Sequence, residues 1–130
     1  MRKTMRNIML IALVGLLAGC ASGPAKVFEG KANQALSAGI DAYNEGKYPD
    51  AVKSLQSALN QGLSVSDQVK AHKYLAFTHC VSGKERLCRE EFRKGLDINP
   101  NLELESAEVG HPIWGPVFRS VKTRKPDTKK

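Results

Sequence analysis

The sequence predicts an all-α protein: two helical hairpins followed by a C-terminal capping segment that holds a short helix. Three observations predict it. Between residues 32 and 101 the apolar residues recur at helical spacing. The chain also repeats itself, because "AGIDAYNEGKYPDAVKSLQSALNQGL" falls on "LAFTHCVSGKERLCREEFRKGLDINP" when shifted by 37 residues. Both copies, finally, break in the middle at a glycine, Gly46 or Gly83, the residue that most readily takes the left-handed conformation ending a helix.

In order along the chain, residues 1–19 come first. Arg2, Lys3 and Arg6 precede a ten-residue apolar run, Ile8 to Leu17. A helix of that length is too short for a hydrocarbon layer of about 30 Å, and it fits the apolar core of a secretory signal peptide. "LAGC" (Leu17, Ala18, Gly19, Cys20) resembles the lipobox of bacterial lipoproteins. That resemblance implies cleavage before Cys20 and lipid on its thiol, the alternative being a plain signal peptide with a chance cysteine. Several acyl chains anchor stably where one binds only marginally. With Ala21 and Ser22 and no aspartate next to the anchor, the same resemblance implies delivery to the outer membrane. Residues 20–31 are then a lipidated linker, and 111 residues remain from Cys20 on, enough for one small domain.

Residues 32–101 are the helical domain. In the first hairpin Leu36, Ile40 and Tyr43 line one helix, "NEGKYPD" turns the chain, and Ala51, Val52, Leu55, Ala58 and Leu59 line the next. Pro49 suits the first turn of that second helix. In the second hairpin Val69, Leu75, Ala76 and Val81 precede the "SGK" turn, and Leu87, Phe92, Leu96 and Ile98 follow it until Asn99 and Pro100. Ser66 with Asp67 is expected to cap the third helix. The pattern resembles the tetratricopeptide repeat, a helical pair of about 34 residues. That family's small crossing residues fall on Gly39, Ala51 and Ala58, then on Ala76, Cys88 and Gly95, and its terminal proline on Pro100. The family's early tryptophan is absent and three extra residues fall near "NQGLSVSD".

Two cysteines lie in the repeat. On one straight helix Cys80 and Cys88 would stand about 12 Å apart, beyond disulfide reach. With Gly83 turning the chain between them they become facing positions of antiparallel helices, and a disulfide is expected in an oxidising compartment. The competing reading is a metal or redox site using His72, His79 and both thiols, although no close metal-ligand spacing accompanies them.

Residues 102–122 form the cap. Leu102, Leu104, Ile113, Trp114, Val117, Phe118 and Val121 can cover the open side of the last repeat helix, with a short helix from Pro116. Two readings of Trp114 stay open: a structural cover, or a partner hot spot, since tryptophan is enriched at such points. His111 has no companion for chemistry. Residues 123–130 are expected to be a disordered basic tail, solvated or in contact with an anionic surface.

The net charge of +7 does not indicate nucleic acid, because residues 20–118 hold eleven Lys/Arg against twelve Asp/Glu. The basicity belongs to the two ends. No phosphate-binding glycine loop, nucleophile elbow or His-Glu-x-x-His is present, so neither catalysis, a cofactor nor a small-molecule substrate is expected. Stacked hairpins instead offer a face lined by their first helices. The expected partner-binding residues are Asn33, Asp41, Asn44, His72, Lys73 and Thr78, with Trp114. The lipobox, the repeat pair, "YLAFTHCVSGKERLCREEFRKGLDINPNLEL" and "AEVGHPIWGPVFRSVK" together resemble small lipoproteins associated with type VI secretion systems of Gram-negative bacteria. That resemblance implies an accessory scaffold at the periplasmic face of the outer membrane, with envelope proteins of the secretion complex as partners. The alternative is a general envelope-assembly adaptor, similar in kind to the longer tetratricopeptide lipoprotein of the outer-membrane barrel-assembly machinery.

Overall fold

The computed structural model describes the backbone of residues 24–124 and side chains from Glu29. The signal peptide, Cys20 and residues 125–130 of the tail lie outside the described residues. Six helices follow one another: α1 (Pro24–Asn44), α2 (Tyr48–Gln61), α3 (Val65–Val81), α4 (Glu85–Ile98), α5 (Ser106–Val109) and α6 (Trp114–Thr123). Helices α1 and α2 form one antiparallel hairpin and α3 and α4 the other, a tetratricopeptide-like arrangement.

The two hairpin turns are the same turn, 37 residues apart. At Gly46, with φ +74°, Lys47 N–H donates to Ala42 O at 2.8 Å and Gly46 N–H to Tyr43 O at 3.0 Å. At Gly83, with φ +72°, Lys84 N–H donates to His79 O at 2.8 Å and Gly83 N–H to Cys80 O at 3.1 Å. These bonds satisfy carbonyls that a helix end leaves unpaired. Pro49 sits in the first turn of α2, where its missing N–H is not needed.

Small residues decide how closely the helices cross. A Cβ on Gly39 would lie 2.6 Å from Leu55 Cγ and 3.0 Å from its backbone nitrogen, so α1 and α2 meet there only because the side chain is absent. Ala51, Ala58, Ala76 and Cys88 are fully enclosed at the matching positions. At Gly95 a Cβ would meet Leu102 Cδ2 at 3.2 Å.

Helix α3 is shared by two apolar clusters. Ala71 and Leu75 join Ala32, Leu36, Leu55, Ala58 and Leu63 on the first-hairpin side. Val69, Ala76, Phe77 and Cys80 join Phe92, Leu102, Leu104 and the α6 residues on the other. A helix packed on opposite sides carries apolar residues nearly all round, and this is why its pattern is less one-sided than that of α4. The sulfurs of Cys80 and Cys88 are bonded, clasping α3 to α4 with Cα atoms 5.1 Å apart.

Helix α6 packs on α4 and, less extensively, on α3. Those are the relations α3 itself has to α2 and α1, so α6 stands where the first helix of a third repeat would. Trp114, Val117, Phe118 and Val121 are its buried stripe, spaced i, i+3, i+4, i+7 as a core-facing helix requires.

Four local expectations are corrected. Helix α3 is capped by Ser64 rather than Ser66: Asp67 N–H donates to Ser64 Oγ at 3.2 Å, which places Ser66 inside the first turn. Helix α1 begins at Pro24, inside the segment expected to be linker; position 32 marks instead where burial is complete, at Ala32. The short C-terminal helix begins at Trp114, with Pro116 in its first turn, and not at Pro116. Helix α6 also takes in Thr123, the first residue of the expected tail. None of the described helices is long and apolar enough to cross a membrane.

Candidate functional site

Tyr43 on α1, Tyr74 and Phe77 on α3 and Trp114 on α6 form a continuous aromatic patch. Tyr43 meets Tyr74 edge-on at 5.5 Å between centroids, and Phe77 stacks on Trp114 at 4.4 Å. Such pairs add about 0.5–1.5 kcal/mol beyond the area they bury. Burial, followed by the neighbouring Tyr48, Tyr74 and Glu108, pushes the Tyr43 hydroxyl up to about 12, so it stays protonated across the physiological range.

Lys73 lies within this patch. Its ammonium is 5.5 Å from the Tyr74 ring centre and 5.8 Å from that of Phe77, within reach of cation–π attraction. It donates to both oxygens of Glu108, at 2.8 and 3.0 Å. Glu108 belongs to α5, a four-residue helix with a capping box: its carboxylate accepts from Glu105 N–H at 2.9 Å, and the Glu105 carboxylate caps the N–H of Glu108. The Glu108 carbonyl accepts from the indole N–H of Trp114 at 3.1 Å. His111 lies flat on the indole, 3.2 Å between ring centres. Residues 105–113 therefore form a strap across the patch, tied to Lys73 and to the start of α6.

A second polar cluster joins α3 to α4. His72 Nδ1 and Glu91 Oε2 are 2.6 Å apart, and Lys94 Nζ donates to Glu91 Oε1 at 2.7 Å. Burial alone would raise the Glu91 carboxyl; the hydrogen bonds from His72 and Lys94 outweigh it and hold the group below the usual carboxylate range. His79 is buried nearby, and desolvation pushes its imidazole below the ordinary value.

The structure divides the expected partner-binding residues. Asn33, Asp41 and Asn44 are exposed on α1. His72 is committed to Glu91 and so faces α4. Thr78 is fully buried, its hydroxyl donating to Tyr74 O at 2.7 Å, which removes it from any contact surface. Lys73 and Trp114 are on the patch but covered by the strap. Arg119 and Lys122 bond back to Val109 O and Leu102 O, tying α6 to the rest of the cap. Among the described residues no three His, Cys, Asp or Glu converge as metal ligands.

Sequence reasoning missed Glu108 and the strap. The Glu105-x-x-Glu108 spacing is a local sign of a helix start, but nothing local points to a lysine 35 residues earlier. A shallow depression of about 320 Å³ between α1 and α2, lined by Ala35, Asp50, Lys53, Ser54 and Ser57, shares no residue with the aromatic patch.

No family model matches the chain, and no solved structure does. The chain is similar to the photosystem I assembly protein Ycf3 of Synechococcus sp. (strain CC9605), 32% identical over 79 residues that cover 59% of this chain and 46% of that protein. It is also similar to the protein of the same name in Synechococcus sp. (strain CC9902), 31% identical over 62 residues, 48% of this chain and 36% of that one. The chain thus spans less than half the length of the curated relatives it matches. Both are named for assembly, not for a catalysed reaction.

Proposed function

We propose that this chain is a protein-interaction module of the assembly-adaptor kind. The observation that carries the reading is the aromatic patch shared by α1, α3 and α6, with the Lys73 ammonium beside the rings of Tyr74 and Phe77. Aromatic side chains bury large areas with few torsions to immobilise, and a desolvated charge adds selectivity for its opposite. The similarity to proteins named for photosystem assembly supports a role in assembly, transferred here only as a class of activity.

The setting we propose rests on the sequence. A signal peptide directs export and is cleaved, and lipidated Cys20 tethers the module to the outer membrane, facing the periplasm, where it acts as an accessory scaffold of a type VI secretion system. A second reading, a general envelope-assembly adaptor, is favoured by the names of the two relatives. Extraction in mild detergent after crosslinking separates the two. Co-purification of secretion-system membrane components supports the first, and recovery of barrel-assembly proteins the second. Cys20→Ser should leave a soluble or unprocessed protein, and unchanged membrane fractionation of the mature form would remove the anchor from the reading.

A further inference from the structure

The strap is fastened differently from the rest of the fold. None of the α5 side chains is buried, and Val109 and Ile113 are 44% and 47% exposed. Its fastenings are polar or lie at its end: the ion pairs of Lys73 with Glu108 and, at 3.6 Å, with Glu105, the indole bond to Glu108 O, the Arg119 bond to Val109 O at 3.3 Å, and the ring stack of His111 on Trp114. A segment with so little apolar burial opens more readily than the core it covers. Underneath, Tyr43, Tyr74, Phe77 and Trp114 belong to α1, α3 and α6 and stay in place when residues 105–113 lift. Lys73, 8% exposed, would then face solvent without its carboxylate, between two aromatic rings. An ammonium held beside aromatic rings and freed of its carboxylate is open to an anionic group of another chain. Lys70, one turn earlier on α3, is already exposed and adds to the positive field.

We propose that Glu105–Ile113 is an internal ligand that keeps this site closed, and that the external ligand is an acidic peptide segment of a partner protein. The geometry of the resident strap specifies the class. A glutamate at the third residue of a helical turn reaches Lys73 while capping its own turn, as Glu108 does, and a ring three residues further on stacks on the indole, as His111 does. The proposal rests on the interaction-module reading and adds which surface is used and what holds it shut.

The probe is the synthetic peptide ELESAEVGHPIW, the chain's own residues 103–114, labelled with a fluorophore and followed by anisotropy. A tethered segment competes at an effective concentration in the millimolar range, so the wild-type protein should bind the added peptide weakly. Glu108→Gln removes the charge of the resident strap and should tighten binding about tenfold, a change of about 1.4 kcal/mol. Lys73→Met in the Glu108→Gln background should abolish it. Equal binding to wild type and Glu108→Gln, no binding to either, or binding indifferent to Lys73→Met would overturn the proposal. Hydrogen exchange on the unaltered protein needs no variant. The amides of residues 108–111 and 113 should exchange at least tenfold faster than those of α4 and the middle of α6, and equal protection would overturn the strap as a separately opening unit. These measurements use no cellular partner. A failed co-purification therefore bears on the membrane-complex reading, and a failed displacement bears on the gate.

Discussion

Trp114→Ala separates a structural role for this tryptophan from a purely contact role. The side chain is 7% exposed, enclosed between Phe77 on one side at 4.4 Å and His111 on the other at 3.2 Å, with Tyr43 at 6.5 Å. Truncating a large buried aromatic to alanine costs about 3–5 kcal/mol, the spread reflecting how far neighbours collapse into the void. The lower end applies here, because the strap lies at the surface and can settle inward. Water can replace the indole on the Glu108 carbonyl, so losing that bond adds little. In a domain of about 100 residues each kcal/mol moves Tm by about 4–8 °C, so a fall on the order of 12–24 °C is expected in thermal unfolding followed by circular dichroism. The adjacent Ile113→Ala is the control. At 47% exposure it should change stability by less than about 1 kcal/mol. A Tm for Trp114→Ala within about 3 °C of wild type would refute the reasoning, and lost partner binding with intact stability would make the residue a hot spot alone.

Gly39→Ala should destabilise by about 1–3 kcal/mol in urea unfolding, because the new methyl would overlap Leu55. Gly30→Ala, on the same helix with nothing within 4 Å, should stabilise by about 0.5–1 kcal/mol; the same sign for both would contradict the crossing-point account. Thiol titration in denaturant without reductant should find neither Cys80 nor Cys88 free, and replacing both by serine should cost about 2–3 kcal/mol for so short a loop. Acid should act in two stages. The folded-state value of His79 is lowered from 6.5, mainly by burial, with Lys84 and Lys94 also lowering it against Glu91 and Glu90. The unfolded chain therefore takes up this proton first, and stability falls as pH drops below about 6.5. Glu91, lowered from 4.5, adds a second loss as pH falls below that value. His79→Gln should remove the upper stage and leave the lower, and an unchanged stability profile between pH 7 and 5 would refute the assignment.

The hairpins were legible because their causes are local. A glycine that must turn left-handed, a proline in a first helical turn and small residues where backbones approach each leave a mark at one position, repeated 37 residues on. The facing of Cys80 and Cys88 followed from the same turn. The start of α3 was misplaced by two residues because Ser64 and Ser66 offer the same capping hydroxyl, and only backbone geometry decides which of them stands at the cap. The extent of α1 was hidden for a different reason. Its start at Pro24 lies eight residues before Ala32, and a proline suits a linker as well as a first helical turn.

The contact face was harder to read, since exposure was inferred from the repeat without its ending. Counting faces on α3 made Lys73 and Thr78 candidates for a partner, yet the chain supplies neighbours for both. Thr78 is enclosed because α3 is packed on opposite sides, and a hydroxyl enclosed in this way turns to its own helix for a bond. Lys73 is covered by a carboxylate that lies 35 residues away in sequence. An array with only two hairpins leaves the next helix position empty; α6 fills it, and the connection from α4 to α6 must then cross the surface somewhere. In this chain it crosses the aromatic face, with its glutamate on the one lysine there. A connection serving only to reach α6 would need neither the capping box nor the ion pair. Their presence on a segment with almost no buried surface is what makes the strap a resident ligand of that face as well as a linker.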